Sequence, residues 1–420
     1  MNNSMSHIDV WLSEERGSYS RRRAVSFRAN RPDRPVAGQL RFELDGDVLP
    51  DCGPLADAAV VALLFPAMRA GLDLRIHDRV SRRLLINLEE FQAAWRRWRP
   101  LDYAHISITA DEEVDDSHDG PTMKAVSLFS GGVDSSFTLL RHRGALAGRA
   151  SCHIAAAVLI HGFDIPLENS DAFSVVRNSA RRALESVGVP LVCVKTNWRD
   201  VACRNWENEF AAGLAACLHQ FSGVAGIGLV GSAEDYAHLH LPWGSNPITN
   251  GLLSGGALRI VTDGAGYTRS EKVALIARSP AFRDNLRVCW EGAVTGRNCG
   301  HCEKCLRTQL NFLAIGHAPD VAFSERPTPW KLLTLRARSH VQLAYLCEIQ
   351  ETASRQGIEA SWRSFLRVSI FVNYVLLKSR QCLARVGWLR AIYRRVKGAL
   401  RRPKSAGNRV TPKMPEIASQ

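Results

Sequence analysis

Five residues of strand character, 125–129 (AVSLF), run directly into Ser130-Gly131-Gly132-Val133-Asp134-Ser135, and residues 136–140 continue as a helix. A loop that leaves a strand and enters a helix aims unpaired backbone N–H groups and the positive end of the helix dipole at one place. Two glycines let an anion approach the backbone, and the hydroxyls of Ser130 and Ser135 add donors. Phosphate is the ligand such a loop suits. Asp134 is the discordant member: a carboxylate there repels phosphate unless it caps loop N–H groups or holds Mg²⁺ against a pyrophosphate. A plain Ser/Asp helix cap is the simpler alternative, but a cap needs neither glycine.

The surrounding pattern fits a fold that uses such loops. After Pro121 the chain alternates strand and helix, with further apolar strands at 155–160 (AAAVLI), 191–195 (LVCVK) and 226–230 (GIGLV). A helix over 171–187 carries Val176, Ala180, Ala183, Leu184 and Val187 on one face and ends before Gly188; a second is expected over 206–221. Strands this continuously apolar need cover on both faces, so residues 121–325 are expected to form an α/β doubly wound parallel sheet. Residues 1–120 read as a separate α+β domain. Its strands fall at 23–28, 40–44, 73–76 and 105–109, its helices at 56–70 and around Phe91, Trp95 and Trp98, and an acidic linker at 111–119 closes it. Residues 326–400 are expected to be a helical extension with Trp330, Trp362, Phe365 and Tyr374 as packing anchors, and 401–420 a disordered basic tail.

Charge narrows the partners. The chain of 420 residues has a net charge of +13, but from Lys378 onward twelve basic residues stand against one acid, so the body is nearly neutral. Composition therefore gives no sign of a nucleic-acid-binding body. Within 381–400, Val386, Leu389, Tyr393, Val396 and Leu400 recur three or four apart among arginines, the pattern of a basic amphipathic helix. Three readings stay open for it: packing on the protein itself, an anionic membrane surface, and an anionic partner. No stretch has the length of a transmembrane segment and no apolar signal core stands at the amino end, so a cytoplasmic protein is expected.

Seven of the eleven cysteines are scattered; Cys289, Cys299, Cys302 and Cys305 are grouped. Three thiolates at two-residue intervals and a fourth ten positions upstream suffice to close a tetrahedral structural Zn²⁺ site, with an iron–sulfur cluster as the competing reading. Arg297, His301, Lys304 and Arg307 are near enough in sequence to offset the thiolate charge.

The loop SGGVDS resembles the SGGxDS signature of the PP-loop ATP pyrophosphatases, which cleave ATP to AMP and pyrophosphate while adenylating an oxygen of the substrate. With the C-x9-C-x2-C-x2-C arrangement that follows, residues 126–312 are similar to the 7-cyano-7-deazaguanine synthase family of the queuosine pathway. The resemblance implies that ATP and Mg²⁺ are bound by Phe129, Ser130, Gly131, Gly132, Val133, Asp134 and Ser135, with His161 and Asp164 at the adenosine. It implies an ATP-dependent carbon–nitrogen ligase that activates a small-molecule carboxylate for attack by ammonia or another nucleophile. Ser130, Asp134, Ser135 and Lys272 are the expected catalytic residues, and Lys195, Asp235, Tyr236, Trp243 and Arg269 the expected substrate contacts, chosen because ligands of such sheets sit beyond the carboxyl ends of the strands. The synthase's deazapurine-recognition segment is not matched here, so the substrate is 7-carboxy-7-deazaguanine or a related compound, and a protein or polymer terminus comes into view as an alternative acceptor. A tRNA-modifying thiolase or amidotransferase and a non-catalytic nucleotide-binding module of a multi-protein system are the rival readings; a homodimer is left open.

Overall fold

A computed structural model describes residues 6–30, 36–50, 56–115, 123–289, 295–318, 321–323 and 325–385, the side chains of 381–385 excepted. The chain opens with an antiparallel meander, β1 (His7–Arg16), β2 (Ser20–Asn30) and β3 (Val36–Gly46). Helix α1 (Asp57–Ala70) returns it to β4 (Asp73–Ser81), parallel to β1, and α2 (Arg82–Trp98) carries it to β5 (Ile108–Val114), parallel to β4. Helix α2 shows why: Leu84, Leu88, Phe91 and Trp95 lie three or four apart and are all buried, and Ser81 caps its first turn by accepting from Leu84 N.

The strand–helix alternation follows as β6 (Lys124–Leu128), α3 (Val133–Arg143), β7 (His153–His161), α4 (Ser170–Glu185), β8 (Leu191–Thr196), the single turn α5 (Trp198–Val201), α6 (Trp206–His219), β9 (Ile227–Gly231) and β10 (Arg259–Asp263). The remainder is helical: α7 (Arg269–Ala277), α8 (Pro280–Asp284), α9 (Glu303–Ala314), α10 (Pro329–Thr334), α11 (His340–Arg355) and α12 (Trp362–Arg385). All strands join one ten-stranded, mostly parallel sheet in the order β10-β9-β6-β7-β8-β3-β2-β1-β4-β5. The protein is α/β, with helices flanking the sheet.

Within the second half, β6 is the central strand; the chain moves to β7 and β8 on one side, then crosses to β9 and β10 on the other. The order reverses between β6 and β9, and such a switch point opens a crevice beyond the carboxyl ends of those two strands.

Several expectations are corrected. The amino-terminal α+β part shares the sheet of the rest: β3 pairs antiparallel with β8, Phe42 opposite Thr196 through Gly46 opposite Val192, and one apolar core runs across the junction. Unpaired, β8 would end the parallel sheet as an open edge; β3 supplies its hydrogen bonds and inserts Leu40, Phe42 and Leu44 into the core. Strands β1 and β10 were not foreseen, and β5 starts three residues later than its expected segment and takes up 111–114, so that part of the acidic stretch is strand. Among the described residues Trp330 and Tyr374 are 73% and 49% exposed and are not buried anchors, whereas Trp362 and Phe365 pack on the cluster formed by α9, α10, α11 and α12. The expected basic helix coincides with α12 only over 381–385; its remainder and the tail lie outside the described residues. Among those residues no helix is long and apolar enough to cross a membrane.

Polar contacts also close the junction between the halves. Glu209 of α6 is fully buried and receives Arg69 of α1 at 2.5 Å, the Tyr103 hydroxyl at 2.9 Å and the Arg204 N–H at 2.9 Å. Trp198 donates its indole N–H to the Ala62 carbonyl at 2.9 Å. Replacing Arg69 with Met strands a buried carboxylate, so unfolding free energy should fall by about 3 kcal/mol, read as a lower denaturant midpoint at unchanged slope.

Candidate functional site

The loop between β6 and α3 stands at the switch point. Its backbone needs Gly131, which sits at φ +75°. It is closed internally: Ser130 N donates to Ser135 Oγ at 3.3 Å, Gly132 N to Ser130 Oγ at 3.3 Å, and Ser135 Oγ to Gly132 O at 3.2 Å. No side chain caps α3, which begins after Gly132. The helix cap considered from sequence is therefore absent, and the amino end of α3 keeps its electropositive character at the crevice. Phe129 and Val133 are buried beneath the loop, Phe129 edge-on to Phe282 at 6.0 Å. Gly231 ends β9; a Cβ there would stand 2.8 Å from the Asp134 carbonyl, so the end of β9 meets the first turn of α3 only because this residue is glycine.

Asp134 caps no loop N–H group. Its Oδ1 accepts from Lys272 Nζ at 3.2 Å and its Oδ2 from Arg269 Nη1 at 3.4 Å, both cations projecting from α7. Burial works to raise this carboxyl, but Lys272 and Arg269 outweigh it and hold it below the usual carboxylate range. Lys272 is 2% exposed and also donates to the Ser232 carbonyl just past β9 at 2.6 Å. One ammonium thus joins the loops after β6 and β9. A capping box formed by Thr268 and Glu271 fixes the start of α7 and with it the direction of both cations.

More positive charge arrives from α9. Arg307 pairs with Glu303 at 2.7 Å, lies over the Tyr345 ring at 4.5 Å and, with Arg269, acts on the charge of Lys304; Lys304 in turn is within electrostatic reach of Asp134 and Asp164. Sequence reading assigned Lys304 and Arg307 to the cysteines they adjoin. Folding puts them in the environment of the loop instead, because α9 packs against α7. Arg269 Nη2 reaches Thr308 Oγ1 at 3.4 Å, and Ser270 Oγ takes the Asn311 amide at 2.9 Å while donating to Glu348 of α11 at 3.0 Å.

The amino end of α9 is where the cysteines converge. The sulfurs of Cys289, Cys299, Cys302 and Cys305 lie within 4.8 Å of one another, with Cys289–Cys302 and Cys299–Cys305 both at 3.9 Å. A Zn²⁺ ion bound tetrahedrally to four sulfurs at about 2.3 Å separates them by roughly 3.8 Å, so the sulfurs already stand at ligand spacing. Cys302 N donates to Cys299 Sγ and Cys305 N to Cys302 Sγ, as suits thiolates. The Cys305 thiol holds Cys302 well below the usual thiol range while its own proton is retained. Asn298 clamps the site from behind, accepting from Val288 N and Cys289 N and donating to Leu286 O and Ala322 O, each within 3.1 Å. The cluster could hold a metal ion such as zinc.

The other sequence-selected residues have partners of their own. His161 is buried, stacked on Phe173 with ring centres 4.2 Å apart and its Nε2 on the Pro166 carbonyl at 3.0 Å, while Asp164 is exposed. Lys195 lies at the junction, 4.0 Å from Glu43. Asp235 accepts from Ala237 N at 2.9 Å and from the His238 ring at 2.9 Å, Tyr236 is 64% exposed, and Trp243 leans edge-on to Phe210 at 5.9 Å. The structure therefore gathers Ser130, Asp134, Ser135, Arg269 and Lys272 about the loop.

No protein-family model, curated protein or solved structure matches the chain. The purified protein is expected to carry one tightly bound metal ion per chain by elemental analysis, and Cys302→Ala should lose the ion and lower the melting temperature, because site binding contributes directly to folding stability.

Proposed function

We propose that the protein is an ATP-dependent synthase of the PP-loop ATP pyrophosphatase type that adenylates a carboxylate and passes the acyl group to ammonia or another amine. The observation that carries this reading is the placement of an uncapped glycine–serine loop at the sheet's switch point under Lys272 and Arg269. The loop N–H groups and the Ser130 and Ser135 hydroxyls suit the pyrophosphate portion of ATP. A substrate carboxylate oxygen attacks the α-phosphorus, the bond to the pyrophosphate oxygen breaks, and the negative charge moves onto the departing pyrophosphate. Lys272 and Arg269 are fixed where that charge grows, so they need no rearrangement in the transition state. The amine then displaces AMP from the acyl carbon.

Asp134 serves as the fixed partner of these cations. Both of its oxygens face a positive group; Mg²⁺ brought with the nucleotide would supply further charge neutralisation at the phosphates. The four cysteines would hold Zn²⁺, which would lock the amino end of α9. The carboxylate is 7-carboxy-7-deazaguanine or a related compound.

The test is pyrophosphate release from ATP across a panel of carboxylates, with 7-carboxy-7-deazaguanine first and ammonia present. Release should depend on a carboxylate, and Lys272→Met and Asp134→Asn should each reduce it by about 100-fold or more. ATP binding without carboxylate-dependent release would leave a nucleotide-binding module and reject the synthase.

A further inference from the structure

A groove of about 400 Å³ lies along β9 and the edge strand β10. Ile227, Leu229 and Val261 belong to its lining, as do Cys152, His142 and Asp263. Cys152 precedes β7, His142 ends α3 and Asp263 ends β10, so three separate elements bring these side chains together. The Cys152 sulfur is 3.2 Å from His142 Nδ1, and His142 Nε2 is 3.3 Å from Asp263 Oδ1.

We propose that Cys152 is a nucleophilic thiol, served by His142 as base and by Asp263 as positioning residue, in a groove that takes a small electrophile bearing a carboxylate or similar anionic group.

The proton positions follow from the partners. Asp263 can only accept, so His142 carries its hydrogen on Nε2 and presents the Nδ1 lone pair to the thiol. Cys152 N, at 3.3 Å, donates to the same Nδ1 and holds the ring in that tautomer. Burial works to lower the imidazole, but its hydrogen bonds to Asp263 and Cys152 outweigh it and raise its basicity. Asp263 is also paired with Arg141, which keeps the carboxylate ionised and fixed. The groove's own charge selects the reagent: Arg149 and Arg259 line it and are exposed, and Arg141 lies over the Tyr267 ring at 5.3 Å. In the reaction the thiol proton moves to His142 Nδ1, the sulfur lone pair forms the bond to the electrophilic carbon, the leaving group departs with its bonding pair, and His142 returns the proton to water.

The probes are iodoacetate and iodoacetamide, which differ in charge and share iodide as leaving group. They are applied to the full-length protein at neutral pH, and each cysteine is followed by peptide mass spectrometry. Cys152 should react about tenfold faster than the half-buried Cys203 and Cys347, and its iodoacetate-to-iodoacetamide rate ratio should exceed theirs several-fold. His142→Gln should slow both reagents at Cys152 about tenfold, whereas Arg149→Gln with Arg259→Gln should remove the iodoacetate preference and leave the iodoacetamide rate. These two arginines are surface residues, so that variant reads the groove even where the His142 variant fails to fold. Reaction of Cys152 no faster than Cys203, or a rate unchanged in folded His142→Gln, overturns the activated thiol; a rate ratio unmoved by loss of both arginines overturns the anionic ligand.

Discussion

The contact on which the rest depends is the buried ammonium of Lys272 between Asp134 and the Ser232 carbonyl. A cation removed from water is tolerated only when it is paired and hydrogen-bonded, so Lys272 fixes three things at once. The loop after β6 must present a carboxylate, the loop after β9 must turn a carbonyl inward, and α7 must lie above the crevice at the correct height. Gly231 meets the same demand in steric terms by letting the end of β9 close onto the first turn of α3. The arrangement is therefore a property of the switch point as a whole, and the glycine–serine loop is one wall of it.

Helix α9 links this centre to the cysteines. Its first turn contains two of the four sulfur ligands, and between and after them stand Lys304 and Arg307. Any ion that ties the four sulfurs together also sets the rotation of α9 about its axis, and with it which groups meet Asp134 and Tyr345. Ser270, Asn311 and Glu348 hold the middle of the same helix against α7 and α11. The cysteine cluster and the glycine–serine loop are thus separate in chemistry and coupled in geometry.

Features set by short-range pattern were legible in the sequence. The strand–loop–helix at residues 125–140, the apolar faces of α2 and α4 and the cysteine spacing are local patterns, and each stands in the structure where its residues placed it. What depended on partners far along the chain was not. That β3 extends the parallel sheet follows from Phe42 meeting Thr196, and nothing near either residue in sequence announces it. Strand β10 is a five-residue segment, RIVTD, too short for an alternating pattern to stand out from its neighbours. Lys304 and Arg307 were noticed for their neighbours in sequence, but their setting is decided by the packing of α9 on α7. Asp134 was expected to serve loop N–H groups or a metal ion because the two cations that claim it come from more than 130 residues downstream.

The antiparallel pairing of β3 with β8 also orders events in time. Some 150 residues separate the paired segments, so during synthesis β3 emerges well before its partner exists, and closing so long a loop is entropically demanding. The first half of the sheet must wait with one flank open, and the arrival of β8, followed by α6 with Glu209 for Arg69, is what ends that wait. Assembly of the protein is paced by its middle, and the interval before β8 appears is when the nascent chain is most exposed to wrong strand partners.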